Sequence, residues 1–492
     1  MERTGLASGF CLAAMLASTA TIAAPKGTTS ATVERNGRPN IIFVLSDDVG
    51  IGNIGCYGSD NFKTPRIDAL AKSGTRFTRC YSAPLCGPSR AQALTGRYPF
   101  RTGMTSNETG QSLKPANEVM IPTILKSAGY VTAAVGKWSQ LPLQPGDWGF
   151  DEYWRFQGSG KYWKSQGGAN FRNGESINIG PDQYIPDLMH GFIVDFMTRH
   201  KDQPFYIHYA MSHMHGQILK TPDSKPGSKD FYADNNRYMD KLVGQLVQDL
   251  EKLGLRENTL IIFVGDNGTA QGGVARATVK GRPLSGQKGT MLEGGSHVPM
   301  IASWPGRTAA GKVSDTLVDF TDFLPTFAEL AGAKLPEGVK IDGHSLAPML
   351  LGKSRTPREW IYVELGGKWF AESQNWKLNK GGQLFDMKDA PYIEKPVSAD
   401  TTDTEALAAR KQLRAVLDEL NPAAGKQSGA TGKAGNPRQR REAGAAVQTT
   451  GSAVRPNRPL LTQQERQTLS PQERKKLRAQ RQAQQQAAGN RP

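Results

Sequence analysis

An α/β fold built on a largely parallel sheet is the class that this 492-residue chain predicts. Three observations predict it. Ile41-Ile42-Phe43-Val44-Leu45 is an unbroken apolar run, flanked by Pro39 and by Ser46-Asp47-Asp48, and reads as a buried strand. Tyr238 to Leu253 carries apolar residues at 239, 242, 243, 246, 247, 250 and 253, which is helical spacing, and Gly254 stops that helix. Thr259-Leu260-Ile261-Ile262-Phe263-Val264 forms a second buried run. Strand, helix and strand in this order belong to a layered α/β sheet.

The elements fall in order along the chain. Met1-Glu2-Arg3, a mostly apolar stretch from Leu6 to Ala20 and small residues through Ala24 resemble a secretory signal peptide over 1–24. An ordinary N-terminal helix is the weaker reading, because Pro25 and Gly27 follow. The alternating pattern then runs to Pro391, with a large domain expected over 36–335 and a smaller α+β subdomain over 336–395. After Tyr392 no aromatic residue appears for 100 positions, and Gln, Ala, Arg and Gly dominate the last 70. Glu405 to Leu420 is one last helix candidate. The stretch 396–492 as a whole reads as a low-complexity, largely disordered tail, unable to bury enough apolar surface to offset its ordering entropy.

Composition removes several function classes. No apolar run approaches the ~20 residues of a membrane helix. The net charge is +16, yet Pro422 to Pro492 holds 14 Lys/Arg against 3 Asp/Glu. The rest of the chain carries only +5, so the folded part is not read as a nucleic-acid binder. The tail's Arg438, Arg440, Arg441 and Arg474-Lys475-Lys476 suit a polyanion such as sulfated polysaccharide, or a solvated linker with no partner. Of four cysteines, Cys56, Cys80 and Cys86 follow the leader, too few for a disulfide scaffold. Pairing of Cys56 with Cys80 stays open.

Chemistry begins where both β runs end in oxygen-rich pairs, Asp47-Asp48 and Asp266-Asn267. In a parallel sheet these ends share the edge where α/β proteins bind ligands. Three carboxylates and an amide meeting there repel one another unless a hard cation sits among them, and oxygen ligands favour Ca²⁺ or Mg²⁺ over zinc. Either pair alone is better read as a turn cap; the two together favour the metal. A denser signal is Leu85-Cys86-Gly87-Pro88-Ser89-Arg90, whose Cys-x-Pro-x-Arg spacing arises by chance in roughly one chain of this size in a hundred.

On these residues the chain resembles a type I sulfatase of the alkaline phosphatase superfamily, in which that cysteine is oxidised to formylglycine. The resemblance spans about Pro39 to Tyr392. It takes in Thr64-Pro65-Arg66-Ile67-Asp68-Ala69-Leu70-Ala71, Gly136-Lys137-Trp138, Met214-His215-Gly216, Lys288-Gly289-Thr290, Glu293-Gly294-Gly295, Asp342-Gly343-His344-Ser345-Leu346 and Leu384-Phe385-Asp386. Ala93 departs slightly from the larger apolar residue usual in the family. The implied fold is an alkaline-phosphatase-like, mostly parallel sheet between helices, with the smaller subdomain C-terminal to it.

The resemblance also implies roles. Asp47, Asp48, Asp266 and Asn267 would hold Ca²⁺, or Mg²⁺, with the modified Cys86 as a further ligand. Hydrated formylglycine would supply the hydroxyl that attacks sulfur and a second hydroxyl that lets sulfate leave. Arg90, Lys137 and Lys288 would neutralise oxygens in the transition state, and His215 would contact sulfate and protonate the leaving alcohol. A formylglycine-generating enzyme would be the maturation partner, and the enzyme would be exported, periplasmic or secreted. The substrate would be a sulfate ester of an alcohol, carbohydrate or aryl. A phosphomonoester or phosphonate monoester hydrolase and a non-catalytic glycan-binding homologue are the rival readings.

One departure stands out. After Gly136-Lys137-Trp138 the family usually places a histidine, and this chain has Ser139-Gln140. That histidine is thought to help remove the proton that drives sulfate expulsion. Ser139, Gln140 or the more distant His213 covers its role, or turnover is impaired. A second feature is the aromatic run Trp148, Phe150, Tyr153, Trp154, Phe156, Tyr162 and Trp163. Aromatics this dense are expected to be core, with a sugar-stacking platform as the alternative.

Overall fold

The computed structural model describes residues 37–354 and 356–425. The leader expected over 1–24 and the tail beyond 425 lie outside these residues. Among the described residues eleven strands form the main sheet. Its path runs Lys312–Ser314, Thr75–Tyr81, His297–Ser303, Thr259–Gly265, Asn40–Ser46, Phe205–Ala210, Val131–Lys137, Glu152–Phe156, Asn170–Arg172 and Glu175–Ile177. Val318–Asp319 pairs with Thr75–Tyr81 off that path. The five strands from Thr259–Gly265 to Glu152–Phe156 are parallel neighbours. His297–Ser303 and Asn170–Arg172 flank them antiparallel.

The central strand shows why its sequence has no polar alternation. Successive side chains point to opposite faces, and both faces are covered. Ile42 and Val44 join one core with Ile67, Ile193 and Leu242 from helices Pro65–Lys72, Ile185–Arg199 and Phe231–Lys252. Ile41, Phe43 and Leu45 join the other with Leu94, Leu125 and Phe327 from helices Cys86–Thr95, Ile121–Ser127 and Phe323–Ala331. Each such side chain contributes about 1.5–3 kcal/mol by burial. The helix expected from Tyr238 starts earlier, at Phe231, because the Asp230 side chain accepts the Ala233 N–H and caps it. Its first turns bury polar Asp234, Asn235 and Asn236, which an apolar pattern does not register.

A second sheet takes Ile361–Leu365, Lys368–Glu372, Trp376–Asn379, Leu384–Asp386 and Lys395–Pro396 in antiparallel succession. Helix Thr404–Leu420, capped by Asp403 at the Glu405 N–H (2.9 Å), lays Ala406, Leu413 and Leu417 against Leu378 and Leu384. The boundary expected at 396 is therefore corrected: that helix and the turn Pro422–Ala424 belong to the folded part. Composition hid it, since one apolar stripe suffices for a helix with a sheet to lie on. At the other boundary, Leu346 and Leu350 still pack in the main core. All three described cysteines are free thiols, so Cys56 and Cys80 do not pair. Of the aromatic run, all but Trp163 are core residues.

Candidate active site

Ser46 and Gly265 are register partners, so Asp47-Asp48 and Asp266-Asn267 leave the sheet side by side. Asp48 adopts φ +60°, a left-handed turn that aspartate tolerates better than most residues. There its N–H donates to Asp266 Oδ1 at 2.9 Å, while Asn267 Nδ2 donates to Asp48 Oδ1 at 2.9 Å. Oxygens of Asp47, Asp48 and Asp266 lie within 4.8 Å of one another, and all three residues are buried.

Three cations stand against these three carboxylates. Lys137, the last residue of its strand, places Nζ 2.8 and 2.7 Å from the two Asp47 oxygens. Arg90 donates from Nε to Asp266 Oδ2 at 2.9 Å, and its Nη2 lies 3.7 Å from Asp47. Lys288 Nζ lies 2.5 Å from Asp48 Oδ1. The loop bearing Lys288 is tied down twice: its N–H donates to Thr269 O at 3.0 Å, and the next N–H, of Gly289, to Pro84 O at 2.7 Å. Gly268 permits this approach, since a Cβ there would collide with Gly294 O.

Burial pushes Asp47 up, but Lys137, His215 and Arg90 outweigh it and hold the carboxyl below its usual range. Asp266 is held above that range by burial and by the charge of Asp47. Lys288 stays protonated well past its ordinary range because Asp48 and the other acids outweigh its burial. His215 is lowered, burial being the largest cause, with Asp47 opposing and Lys137 adding. Its Nε2 is 4.0 Å from Asp48 Oδ2, and it is 23% exposed, on the open side of the cluster.

The donor set fits a hard divalent cation. Three buried carboxylates converge, and the Asn267 side-chain oxygen is buried with no hydrogen-bond partner, an acceptor left aimed at nothing in the protein. Cys86 completes the cluster: its Sγ and a ligand atom each of Asp47 and His215 lie within 4.8 Å of one another. It is the first residue of helix Cys86–Thr95, whose ten residues are all buried, and Arg90 follows one turn later on the same face.

The structure thus brings together Asp47, Asp48, Cys86, Arg90, Lys137, His215, Asp266, Asn267 and Lys288. Ser139 and Gln140 are hydrogen-bonded to each other and to Ser159 rather than to the ion cluster, although Gln140 borders residue 86: a Cβ on Gly87 would lie 3.3 Å from its Cβ. Ser139 Oγ donates to Gln140 Oε1 at 3.0 Å and lies 2.9 Å from Ser159 Oγ, which also accepts from Gln140 Nε2 at 2.8 Å. His213 does not fit the role of proton acceptor offered for it. It is fully buried, its Nε2 lies 3.2 Å from the Tyr184 hydroxyl, and burial pushes its pKa down to about 3. The ring is neutral at pH 7 and binds a further proton only in strong acid.

Two residues went unread in the sequence. Ser159 joins Ser139 and Gln140 across 20 positions. Asn107 stands beside Cys86 from a turn, Asn107–Ser112, whose polar composition reads only as a loop. Neither lies in a motif of fixed spacing, so no local signal pointed to them.

Comparison with known proteins agrees with this geometry. The sulfatase family model matches residues 39–333. Arylsulfatase A of Homo sapiens is 34% identical over 357 residues, covering 66% of this chain and 70% of that protein. N-acetylgalactosamine-6-sulfatase of Canis lupus familiaris is 34% identical over 360 residues, covering 66% and 68%. The crystal structure of Ps i-CgsB in complex with k-i-k-neocarrahexaose matches with a TM-score of 0.66 at 29% identity, covering 78% of this chain and 92% of that one. The chain belongs to the sulfatase family, and it is a sulfuric ester hydrolase.

Proposed function

We propose that the protein removes sulfate from a sulfated carbohydrate, with formylglycine at position 86 and Ca²⁺ held by Asp47, Asp48, Asp266 and Asn267. The observation that carries this reading is the convergence of three buried carboxylates, an unpartnered Asn267 oxygen and Cys86 at one sheet edge. Three acids and three cations balance there, so a divalent ion leaves an excess of two positive charges, which suits an anionic ester. When present, the ion and the modified residue supply a hydroxyl of lowered pKa as nucleophile and a second hydroxyl through which sulfate can leave.

The chain's own groups do the rest. Arg90 holds Asp266 in place and keeps positive charge beside residue 86. Lys137 and Lys288, already fixed on Asp47 and Asp48, meet the sulfate oxygens as charge shifts in the transition state. His215, on the exposed side, gives its proton to the leaving alcohol oxygen, and the charge of a bound sulfate favours its protonated form. Carbohydrate is favoured over a simple aryl alcohol because the Ps i-CgsB neighbour was solved with a hexaose bound. The leader-like residues 1–24 support export, and the Cys86-Pro88-Arg90 spacing supports maturation by a formylglycine-generating enzyme.

The test is a mass measurement of the peptide around Cys86 after co-expression with that enzyme, followed by assays on sulfate and phosphate esters. Formylglycine at 86, loss of activity on chelation and recovery with Ca²⁺ are expected. Full activity from an unmodified thiol, or from thoroughly metal-free protein, would overturn the reading. A preference for phosphate esters would replace the substrate class.

A further inference from the structure

The Cys86 side chain has a neighbour that belongs neither to the acid cluster nor to its cations. Asn107 Nδ2 lies 3.7 Å from Cys86 Sγ and its Oδ1 lies 3.8 Å away, so distance alone does not say which end faces the cysteine. The next residue decides it. Gly87 N–H donates to Asn107 Oδ1 at 2.9 Å, and a backbone N–H can only donate. The carbonyl end is thereby fixed on Gly87, and the NH₂ end is left facing the substituent on the Cβ of residue 86.

The arrangement is built around a missing side chain. A Cβ at Gly87 would come to 2.5 Å from Asn107 Oδ1, and to 2.8 Å and 3.3 Å from Met104 Cε and Gln140 Cβ. Any larger residue at 87 displaces the carboxamide. The Asn107 backbone is held in turn: Ser106 N–H donates to Thr109 Oγ1 at 3.0 Å and Thr109 N–H to Ser106 O at 3.3 Å. Gly110 packs so close to Gln140 that a Cβ there would lie 2.5 Å from its carbonyl oxygen. A neutral donor is thus held rigidly beside residue 86, on the flank that Gln140 also walls.

We propose that Asn107 is a positioning residue for the reactive side chain at 86, its amide N–H donating to one oxygen on that Cβ and fixing the rotation about Cα–Cβ. This rests on the formylglycine reading above. A side chain with two oxygens on one carbon has three staggered rotamers of similar energy, and only one presents an oxygen in line with the ester sulfur. The cations and the Asp cluster act on charge. Asn107 supplies direction, and it neither accepts nor releases a proton.

The test combines a crystal structure of the converted enzyme with kinetics of Asn107→Ala, Asn107→Leu, Gly87→Ala and the Gly87→Ala/Asn107→Ala pair. In wild type an oxygen on residue 86 should lie about 2.7–3.2 Å from Asn107 Nδ2. In Asn107→Ala crystals the same side chain should occupy more than one rotamer. Each single variant should lose roughly ten- to a hundredfold in kcat with KM within about threefold, the range between one neutral hydrogen bond and one transition-state donor. The pair should lose no more than either alone, since both remove one contact. Additive losses, an unchanged kcat in Gly87→Ala, or a carboxamide turned away from residue 86 would overturn the proposal. Should position 86 prove to be a thiol, the formylglycine reading fails, while the same crystal still shows whether Nδ2 contacts Sγ as described here.

Discussion

Two of the buried ion clusters among the described residues are built on opposite plans. The one at the sheet edge holds Asp47, Asp48 and Asp266 with Arg90, Lys137 and Lys288. The other holds Asp319, Asp322 and Asp342 with Arg101 and Arg358, where the small sheet meets the main one. In the second, protein donors meet the carboxylates at every turn. Asp319 accepts from Thr321 N–H (2.9 Å), Gln92 Nε2 (2.8 Å) and Tyr362 N–H (3.3 Å). Asp322 accepts from His344 N–H (2.7 Å), Asp319 N–H (3.0 Å) and Arg358, and Asp342 from Tyr98 N–H (2.9 Å) and Arg101 Nε (2.7 Å). The first leaves Asn267 Oδ1, Arg90 Nη1 and His215 Nδ1 buried without partners, and opens to solvent at His215 and Lys288. A cluster whose hydrogen-bonding capacity is consumed internally stabilises the fold. One that keeps atoms in reserve is organised for something not part of the chain.

Matched substitutions test that contrast most severely. Asp48→Asn should abolish Ca²⁺ binding at micromolar ion and lower kcat by roughly a thousandfold or more, because it removes charge where charge is shifted. Thermal stability should stay level or rise, since three acids repel there, Lys288 can turn to water, and asparagine suits φ +60°. Asp322→Asn should do the reverse. Arg358 would lose its nearest charge partner and keep only the weaker attraction of Asp319, a change that costs up to about 3–5 kcal/mol, while kcat of the folded fraction stays within about twofold. Calorimetry, Ca²⁺ titration and kcat on both variants decide. Equal losses of stability from the two substitutions would erase the distinction.

The contrast also explains what the sequence disclosed. Asp47-Asp48 and Asp266-Asn267 were legible because each follows an apolar run whose strand identity is local, and a parallel sheet aligns such ends. Asp342-Gly343-His344 was visible as part of the family resemblance, but its work is structural: Asp342 ties down Tyr98 and Arg101, and the His344 N–H serves Asp322. Motif matching alone does not separate the two uses; here unspent hydrogen-bonding capacity together with an opening to solvent does. Asn107 and Ser159 were illegible because each acts across about 20 residues of irregular chain, where no period links cause to position. Helix Thr404–Leu420 was visible as a candidate, but its place in the fold was not. What decides that is the sheet beneath it.

A third kind of buried carboxylate sharpens the comparison. Among the described residues Asp240 accepts from backbone donors, Ile67 N–H at 2.8 Å and Arg66 N–H at 3.0 Å, at the start of helix Pro65–Lys72. Burial outweighs those bonds and raises its pKa to about 6. Between its ordinary value near 4 and 6 the folded state binds more protons than the unfolded, so stability falls as pH rises through that window. Two pH units set a ceiling of about 3 kcal/mol, which solvent screening cuts to about 1–2. Asp240→Asn keeps an acceptor for Ile67 and removes the titration. Wild type should therefore lose stability relative to this variant from pH 4 to 7 in urea unfolding, and a constant difference would show that the carboxylate is ionised throughout.

The smallest expected effect bears on the reactive edge itself, at the group formed by Ser139, Gln140 and Ser159. Ser139, Gln140 and Ser159 satisfy one another, and none accepts a proton near neutral pH. His213 is buried against Tyr184, and on the proposed mechanism these three side chains would not take up the proton released before sulfate leaves. On the mechanism proposed above, attack on sulfur would draw on Lys137, Lys288 and His215, so alcohol should appear in a burst ahead of slower steady turnover. Ser139 is exposed, which gives an imidazole room without overpacking. Ser139→His should raise the steady rate by about three- to tenfold, at most about 1.4 kcal/mol of barrier, and leave the burst amplitude unchanged. The gain should be present above pH 6.5 and fade below it, as the added imidazole becomes protonated and can no longer accept. If wild type shows no burst and Ser139→His is slower at every pH, sulfate release is not the slow step, and the neutral flank formed by Ser139, Gln140 and Ser159 is a completed design rather than a gap.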